Sequence, residues 1–303
     1  MTADTTPVIV AAARTPQGTR GGVFSDLRSE DLSVAVVDEL LARTGLGSGD
    51  VDDLAWGCAQ QTGEQGNNLA RVVALLSALG ESVPAATINR WCASSAAAIT
   101  RAADAVAAGQ RSCVVAGGVE NMTRIGTVVN LPSVHPEIDD RYGVDRLRMG
   151  TTAETVAEEY VVSRRSQDEY ALRSHRRAAE ATDEGRFDDE IVPVETDEGV
   201  VTEDEGIRRD TSLEALGDLS PAFATEGTVT AGNASQISDG AAGVVVTSRA
   251  FAADHGLDVL AEVGAHEVAG VDPTVMGIGP VPAVRGLCER TGRDPADYDL
   301  VEL

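Results

Sequence analysis

Apolar residues recur along the first part of the chain in two alternating patterns. "PVIVAAAR", Pro7 to Arg14, is a continuous apolar run and predicts a buried strand. "SEDLSVAVVDELLARTG" carries its apolar residues at helical spacing and predicts an amphipathic helix with Ser29 as its cap and Gly45 at its end. "DLAWGCA" reads as a strand, "NNLARVVALLSALG" as a helix closed by its final glycine, and "AATIN" as another strand. "ASSAAAITRAADAVAAG" predicts a helix with Ala96, Ile99, Ala103 and Val106 on one face, and "SCVVAGG" predicts the strand after it. This strand–helix rhythm is that of an α/β protein, a layered sheet with helices on its faces.

The rhythm breaks near Glu120. From there to about Thr230 the chain is polar and irregular, with one strongly charged helix in "SRRSQDEYALRSHRRAAEATDEG". The sheet pattern returns in "DGAAGVVVTSRAFAADHG" and restarts with a strand in "DVLAEVGAHEVAG" and a proline-opened helix in "PVPAVRGLCERTG". The expected layout is an α/β half over 1–120, an inserted loop domain over 121–230, a return to the first half over 231–255 and the start of a second half over 256–303. The last residues, "DYDLVEL", read as a strand beginning, and a second unit this short cannot bury its own sheet, so a truncated second half is expected.

Charge changes the picture of the environment. The formal net charge is −25, and all 24 basic residues are arginine. Such acidity argues against nucleic acid or anionic membranes as partners. It would destabilise a compact chain at low salt, whereas at molar salt the Debye length falls to about 3 Å. The acidity therefore reads as adaptation to a salty cytoplasm. A GC-rich genome would also favour arginine over lysine but does not account for the acidic excess. No run approaches the roughly eighteen apolar residues of a membrane span. The N-terminus lacks a basic region before its apolar run, so no signal peptide is expected. The 4 cysteines follow no metal-ligand spacing and suit a reducing, cytoplasmic compartment.

One cysteine stands out by its place. In "NRWCASSAAAI", Cys92 falls between a predicted strand and the start of an alanine-rich helix. A helix start offers partial positive charge and free N–H groups, which favour a thiolate. The small residues Ala93, Ser94, Ser95 and Ala96 permit close approach of backbone and substrate. Position alone leaves open an inert, buried thiol, the usual state of a cysteine. Cys58 and Cys113 lie inside strand patterns and Cys288 inside a helix, so all three read as structural.

These residues resemble the thiolase family. "NRWCASSAAAI" is similar to the family's nucleophile segment and "AARTPQGTRGGVFSD" to its opening motif. "GGVENMT", "MGTTAETVA", "SRRSQDEYALRSH", "TVTAGNASQISDGAA" and "DPTVMGIGPVPA" resemble further family blocks, in the family's order and over essentially the whole chain. The resemblance implies a thiolase-like layered α-β-α-β-α fold in which the polar insertion is the loop domain that holds coenzyme A. It implies acyl transfer between acyl-CoA and acetyl-CoA in fatty acid metabolism, with Cys92 acylated, Met149 lining the acyl and pantetheine pocket, Arg208 beside the nucleotide end and Ser235 beside the pantetheine amide. It further implies no cofactor or metal, coenzyme A thioesters as substrates, and a homo-oligomer, dimer or tetramer, in the full-length form.

The departures from the family pattern are specific. Arg148 precedes Met149 where many biosynthetic members carry histidine, and Ala93-Ser94-Ser95 look more like degradative or broad-range members. The 303 residues contain no Asn-Glu-Ala-Phe segment, no Gly-His-Pro motif and no second cysteine in a glycine-rich loop. In the family these supply an oxyanion-hole donor, the activating base and the proton carrier. His135, His175, His255 and His266 lie outside such contexts and read as surface or structural residues. The chain alone is therefore expected to be inactive in turnover. A non-catalytic lipid-binding or scaffolding member is the alternative. Related Claisen enzymes share the cysteine but lack the "ENMT", "GTTAE" and "TAGNAS" blocks.

Overall fold

The computed structural model describes residues 4–126 and 134–302. In chain order, β1 is Pro7–Arg14, β2 Gly18–Thr19, α1 Ser29–Thr44, β3 Asp53–Gly57, α2 Leu69–Leu76, β4 Ala85–Ile88, α3 Ser94–Ala107, β5 Cys113–Asn121 and α4 Met122–Ile125. Then come α5 Pro136–Tyr142, α6 Met149–Glu159, α7 Arg164–Asp183, β6 Val194–Thr196, β7 Gly199–Val201 and α8 Leu213–Gly217. The last elements are β8 Ser238–Ser248, α9 Arg249–Asp254, β9 Ala261–Glu262 and α10 Pro280–Thr291. The chain divides into two compact units, one of Met1–Val128, Ala181–Ile207 and Gln236–Val263, the other of Val129–Glu180, Arg208–Ser235 and Gly264–Leu303.

The first unit is built on a mixed sheet of order β4-β3-β5-β8-β1-β9, with β2 paired to β8. β3 runs parallel to β4 and β5, and β8 runs antiparallel between β5 and β1. One face buries Val8, Leu54, Trp56, Val115 and Val245 with Leu32, Val36, Val37 and Leu40 of α1 and Leu69 and Val73 of α2. The opposite face buries Val114, Ala116 and Val246 against Ala102, Ala103 and Val106 of α3. Strands covered on both faces are apolar without alternation, which is why β5, buried from Cys113 to Val119, reads as a continuous run. Register aligns Trp56 with Gly117 and Gly117 with Gly243. The two glycines leave the space the indole fills: a Cβ on Gly117 would lie 2.7 Å from Trp56 Cζ3, and one on Gly243 3.0 Å from it. The fully buried indole donates its N–H to Ser33 Oγ at 3.0 Å.

Several sequence expectations need correction. Arg28, not Ser29, caps α1, and Asp31 Oδ2 accepts its N–H at 3.3 Å. Ser29 is already helical and donates its hydroxyl to buried Gln65 at 2.8 Å. α2 stops at Leu76 with Ser77 as its C-cap, short of Gly80. Of the face expected on α3, Ala103 and Val106 are buried with Ile99 packed against them, while Ala96 in the first turn is exposed and Ala97, Ala98 and Ala102 are buried beside that face. The strand expected across "DVLAEVGAHEVAG" shrinks to the short edge strand β9.

The second unit is held by buried polar anchors. The Glu154 carboxylate of α6 accepts the N–H groups of Thr228 at 2.9 Å and Val229 at 2.9 Å and the Thr228 hydroxyl at 3.0 Å. Arg164 of α7 pairs with buried Asp168 at 2.8 Å and donates to the carbonyls of Leu216 at 2.5 Å and Leu219 at 3.0 Å. Asn233 donates to the same Asp168 at 2.9 Å. The Arg164 guanidinium thus satisfies the Leu216 carbonyl at the end of α8, a helix too short to stand alone.

Candidate active site

Cys92 lies in a tight turn between β4 and α3 and is exposed. Trp91, just before it, takes a left-handed backbone with φ of 49°, unusual for a bulky residue. Local hydrogen bonds hold that conformation. Asn89 Oδ1 accepts the Trp91 N–H at 2.8 Å. The Ser94 hydroxyl accepts the Arg90 N–H at 2.9 Å and donates to the Trp91 carbonyl at 2.5 Å. The Trp91 side chain is left 61% exposed. The turn thus presents a thiol at the amino end of a helix of 14 residues, with the first helical N–H groups beside it.

The sheet approaches this helix start closely. A Cβ on Gly57, at the end of β3, would lie 2.5 Å from the Ser95 nitrogen. One on Gly118 of β5 would lie 2.3 Å from Ser95 Oγ. Only glycine at both positions, Gly57 at the end of β3 and Gly118 within β5, lets α3 begin where it does. The "GGVENMT" block is a clamp around the same region. Glu120 accepts the N–H of Ala59 at 3.0 Å and the amide of buried Gln65 at 2.6 Å. Asn121, fully buried, donates to the carbonyls of Phe24 at 3.2 Å and Leu27 at 3.0 Å. Thr123 donates its hydroxyl to buried Asp239 at 2.5 Å.

The other cysteines differ from Cys92 in environment. Burial, with the Glu120 carboxylate nearby, pushes the Cys58 thiol up to about 12. Burial, with Asp52 and Asp50 adding to it, pushes the Cys113 thiol up to about 12 as well. Cys288 is half-buried in α10.

Met149, Arg208 and Ser235 belong to the second unit and are exposed. Met149 is the first residue of α6, and its carbonyl accepts the Thr152 hydroxyl at 2.8 Å. The Arg208 N–H donates to His175 Nδ1 at 3.2 Å. Burial, then the Arg208 charge, lowers the His175 pKa and favours the neutral ring that accepts this bond. His135 caps α5, accepting the Glu137 N–H at 3.3 Å. His255 stacks on Phe251 with ring centroids 3.8 Å apart. The carbonyl of His266 accepts from Arg290. The rings of His135, His175 and His255 therefore have local structural partners.

Sequence reading placed Cys92 at the strand-to-helix turn, where the structure has it, but missed what shapes that turn. Gly57, Gly118 and Glu120 signal nothing singly. Asn89, two residues before Trp91, is the signature of an Asx turn and was legible.

Comparison with known proteins agrees with this architecture. Residues 7–250 match the family described as thiolase, N-terminal domain. The chain is 45% identical to a 3-ketoacyl-CoA thiolase of Marinomonas sp., over 98% of its own length and 78% of the relative's. It is 42% identical to a beta-ketoadipyl-CoA thiolase of Pseudomonas putida, over 97% and 79%. The crystal structure of a Bacillus anthracis acetyl-CoA acetyltransferase superposes with a TM-score of 0.89 at 39% identity, covering 99% of this chain and 80% of that one. The chain belongs to the thiolase family, and its mixed α/β architecture is the thiolase fold.

Proposed function

We propose that this chain transfers acyl groups between acyl-CoA and acetyl-CoA through an acyl-cysteine on Cys92. The observation that carries the reading is the turn itself: an exposed thiol at a helix start, on a strained backbone braced by Asn89 and Ser94. In thiolysis the Cys92 thiolate adds to the 3-oxo carbonyl of a 3-oxoacyl-CoA. The bond between C2 and C3 breaks, the electron pair leaves as the acetyl-CoA enolate, and protonation gives acetyl-CoA. Coenzyme A thiolate then attacks the acyl-cysteine and releases acyl-CoA. The reverse direction is a Claisen condensation. Coenzyme A thioesters are substrates here, and no resident cofactor takes part.

Met149, Arg208 and Ser235 are read as the coenzyme A contacts. Their exposure and their place in the family blocks of the second unit support this. The working form is read as a homo-oligomer in a salty cytoplasm, the latter on the net charge of −25. Among the described residues no helix is long and apolar enough to cross a membrane.

Proton transfer at the enolate needs a base, and acid–base groups typically contribute about 10²–10⁴ in rate. The 303 residues hold neither the Gly-His-Pro motif nor the second glycine-flanked cysteine, and the rings of His135, His175 and His255 have other partners. The 303-residue chain is therefore read as competent for slow acylation and not for turnover. The test is to incubate it with acetyl-CoA, map the acetyl group by mass spectrometry, and assay thiolysis of acetoacetyl-CoA and a longer 3-oxoacyl-CoA. Acetyl on Cys92 supports the reading. No acetyl on Cys92, or label on another cysteine, overturns it. Full turnover by the 303 residues would show that the missing groups are not needed.

A further inference from the structure

The residue before Cys92 is connected to the sheet by a chain of hydrogen bonds that ends at the Trp91 N–H. The Glu120 carboxylate, at the end of β5, accepts the N–H groups of Ala59 at 3.0 Å and Gln60 at 3.3 Å. Gln65, fully buried, donates to the same carboxylate at 2.6 Å and to the Gln60 carbonyl at 2.9 Å. The Ala59 peptide is thereby fixed from below. Its carbonyl accepts the Asn89 side-chain amide at 2.8 Å, and the other end of that amide accepts the Trp91 N–H at 2.8 Å. The Cys58 N–H donates to the Ile88 carbonyl at 3.0 Å, which locks the two strand ends in register beside this path.

We propose that Asn89, seated on the Ala59 carbonyl that Glu120 fixes, is a positioning residue that sets the geometry of Cys92 by holding Trp91 in its left-handed conformation. The assignment deepens the reading of Cys92 as nucleophile and rests on it. A bulky side chain resists φ of 49°, so the turn needs a brace. Asn89 supplies it on the amino side and Ser94 on the carbonyl side. Asn89 acts on the turn only when its own amide is oriented, and Ala59 does that. Glu120 has no ion-pair partner among the described residues and accepts only from neutral N–H donors, as suits a carboxylate whose task is to orient peptides.

The consequence is a specific coupling between Asn89 and Trp91. Glycine adopts the left-handed region without steric cost. Asn89→Ala should therefore slow Cys92 strongly when residue 91 is tryptophan and weakly when Trp91→Gly is also present. The measurement is the rate of iodoacetamide alkylation at Cys92 in the full 303-residue chain, followed by mass spectrometry across neutral pH. Far-UV circular dichroism and the melting temperature establish that each variant is folded. Asn89→Ala should lower the rate about tenfold, because a relaxed turn carries the thiol away from the first N–H groups of α3, whose partial positive charge favours its reactive form. Glu120→Gln, which sets an amide donor against N–H groups, should lower it in the same direction. Trp91→Gly added to Asn89→Ala should recover most of the loss. Rescue is the readout a general structural role would not give.

Native-rate alkylation of folded Asn89→Ala overturns the proposal, as does an equal loss with glycine at position 91. Native protein that takes no acetyl group from acetyl-CoA overturns the nucleophile reading and this assignment together. Native protein that takes it, with Asn89→Ala alkylated at the native rate, overturns the assignment alone.

Discussion

The Cβ that Gly57 lacks would sit 2.5 Å from the backbone nitrogen of Ser95. The contact joins the end of β3 to the first turn of α3, so strand and helix meet directly through peptide backbone after Cys92. A backbone atom cannot move aside as a side chain can. Gly57→Ala must push the start of α3 outward, at a cost of about 1–3 kcal/mol. The variant should melt lower, and its Cys92 should alkylate more slowly than a stability loss alone explains. A variant with native melting and native alkylation would show that the helix start has slack.

Cysteine reactivity should divide sharply. Cys92 is exposed, while burial holds Cys58 and Cys113 protonated up to about 12. Iodoacetamide on the native chain should modify Cys92 first, and faster labelling of any other cysteine would contradict the assignment. The same burial has a consequence for alkaline stability. In the unfolded chain these thiols ionise near the ordinary value of 9.0, while in the folded chain they stay protonated to about 12. The unfolded state thus binds fewer protons above pH 9.0, so the contribution present below that pH is lost as pH rises toward about 12. Cys113→Val should flatten the alkaline decline seen in denaturant titrations. An unchanged slope would mean that other groups set it.

The elements most legible in the sequence were those whose pattern has one physical reading. β1 was found to the residue because its run of apolar residues is uninterrupted up to Arg14, although only part of it is buried and Ala12 is exposed. α1 ended at Gly45 as expected because a left-handed C-cap demands glycine there. The buried face of α3 was read correctly at Ile99, Ala103 and Val106 but not at Ala96, because a helix rich in alanine has a weak apolar stripe at its first turn. β9 was overread because "DVLAEV" carries strand propensity without a partner strand to extend it. At the site, Cys92 was legible from its place before a run of small residues. Glu120 was not, because its role depends on Ala59, Gln60 and Gln65 being brought to it by the fold.

Val161 offers a test of stored strain. It follows α6 with φ of 55°, and its N–H donates to the Glu158 carbonyl at 3.3 Å while Val162 donates to Ala157 at 2.8 Å. That pair of bonds is a Schellman motif, in which the left-handed position is ordinarily glycine. A β-branched residue is costly there, and this one is 88% exposed, so it gains nothing from packing. Val161→Gly should stabilise the second unit by about 1 kcal/mol, the left-handed penalty less the added freedom of glycine in the unfolded chain. The measurement is the shift in denaturant midpoint. A destabilised variant would mean that the valine side chain has a partner in the working assembly.

Salt should act most strongly where like charges face one another. A hollow of about 560 Å³ in the first unit is lined by Asp26, Glu195, Asp197, Glu198 and Glu205, with Gly21, Gly22, Val23, Ser25 and Leu27 between them. Glu195 to Glu198 belong to the hairpin of β6 and β7, whose register is only a few residues long. Glu205 is held by the N–H groups of Thr19 at 2.8 Å and Val23 at 3.3 Å, which lower its pKa against the opposing effect of burial and keep it charged. The carboxylates of this hollow therefore repel one another when unscreened. Exposed pairs such as Arg165–Glu169 at 2.8 Å and Arg186–Glu184 at 2.6 Å weaken with salt, but each contributes at most about 1 kcal/mol. With 49 acidic against 24 basic residues, repulsion outweighs those pairs. At molar salt the Debye length shortens from about 10 Å to about 3 Å, and most of the repulsion disappears. The melting temperature should rise clearly between low and molar potassium chloride. Amide exchange in the β6–β7 hairpin should slow more than exchange in β5, which lies inside the sheet. Asp197→Asn combined with Glu198→Gln should reduce the salt needed for a given melting temperature without altering Cys92 alkylation. A melting temperature independent of salt would refute the salt-adaptation reading, and a hairpin no more salt-sensitive than β5 would place the repulsion elsewhere.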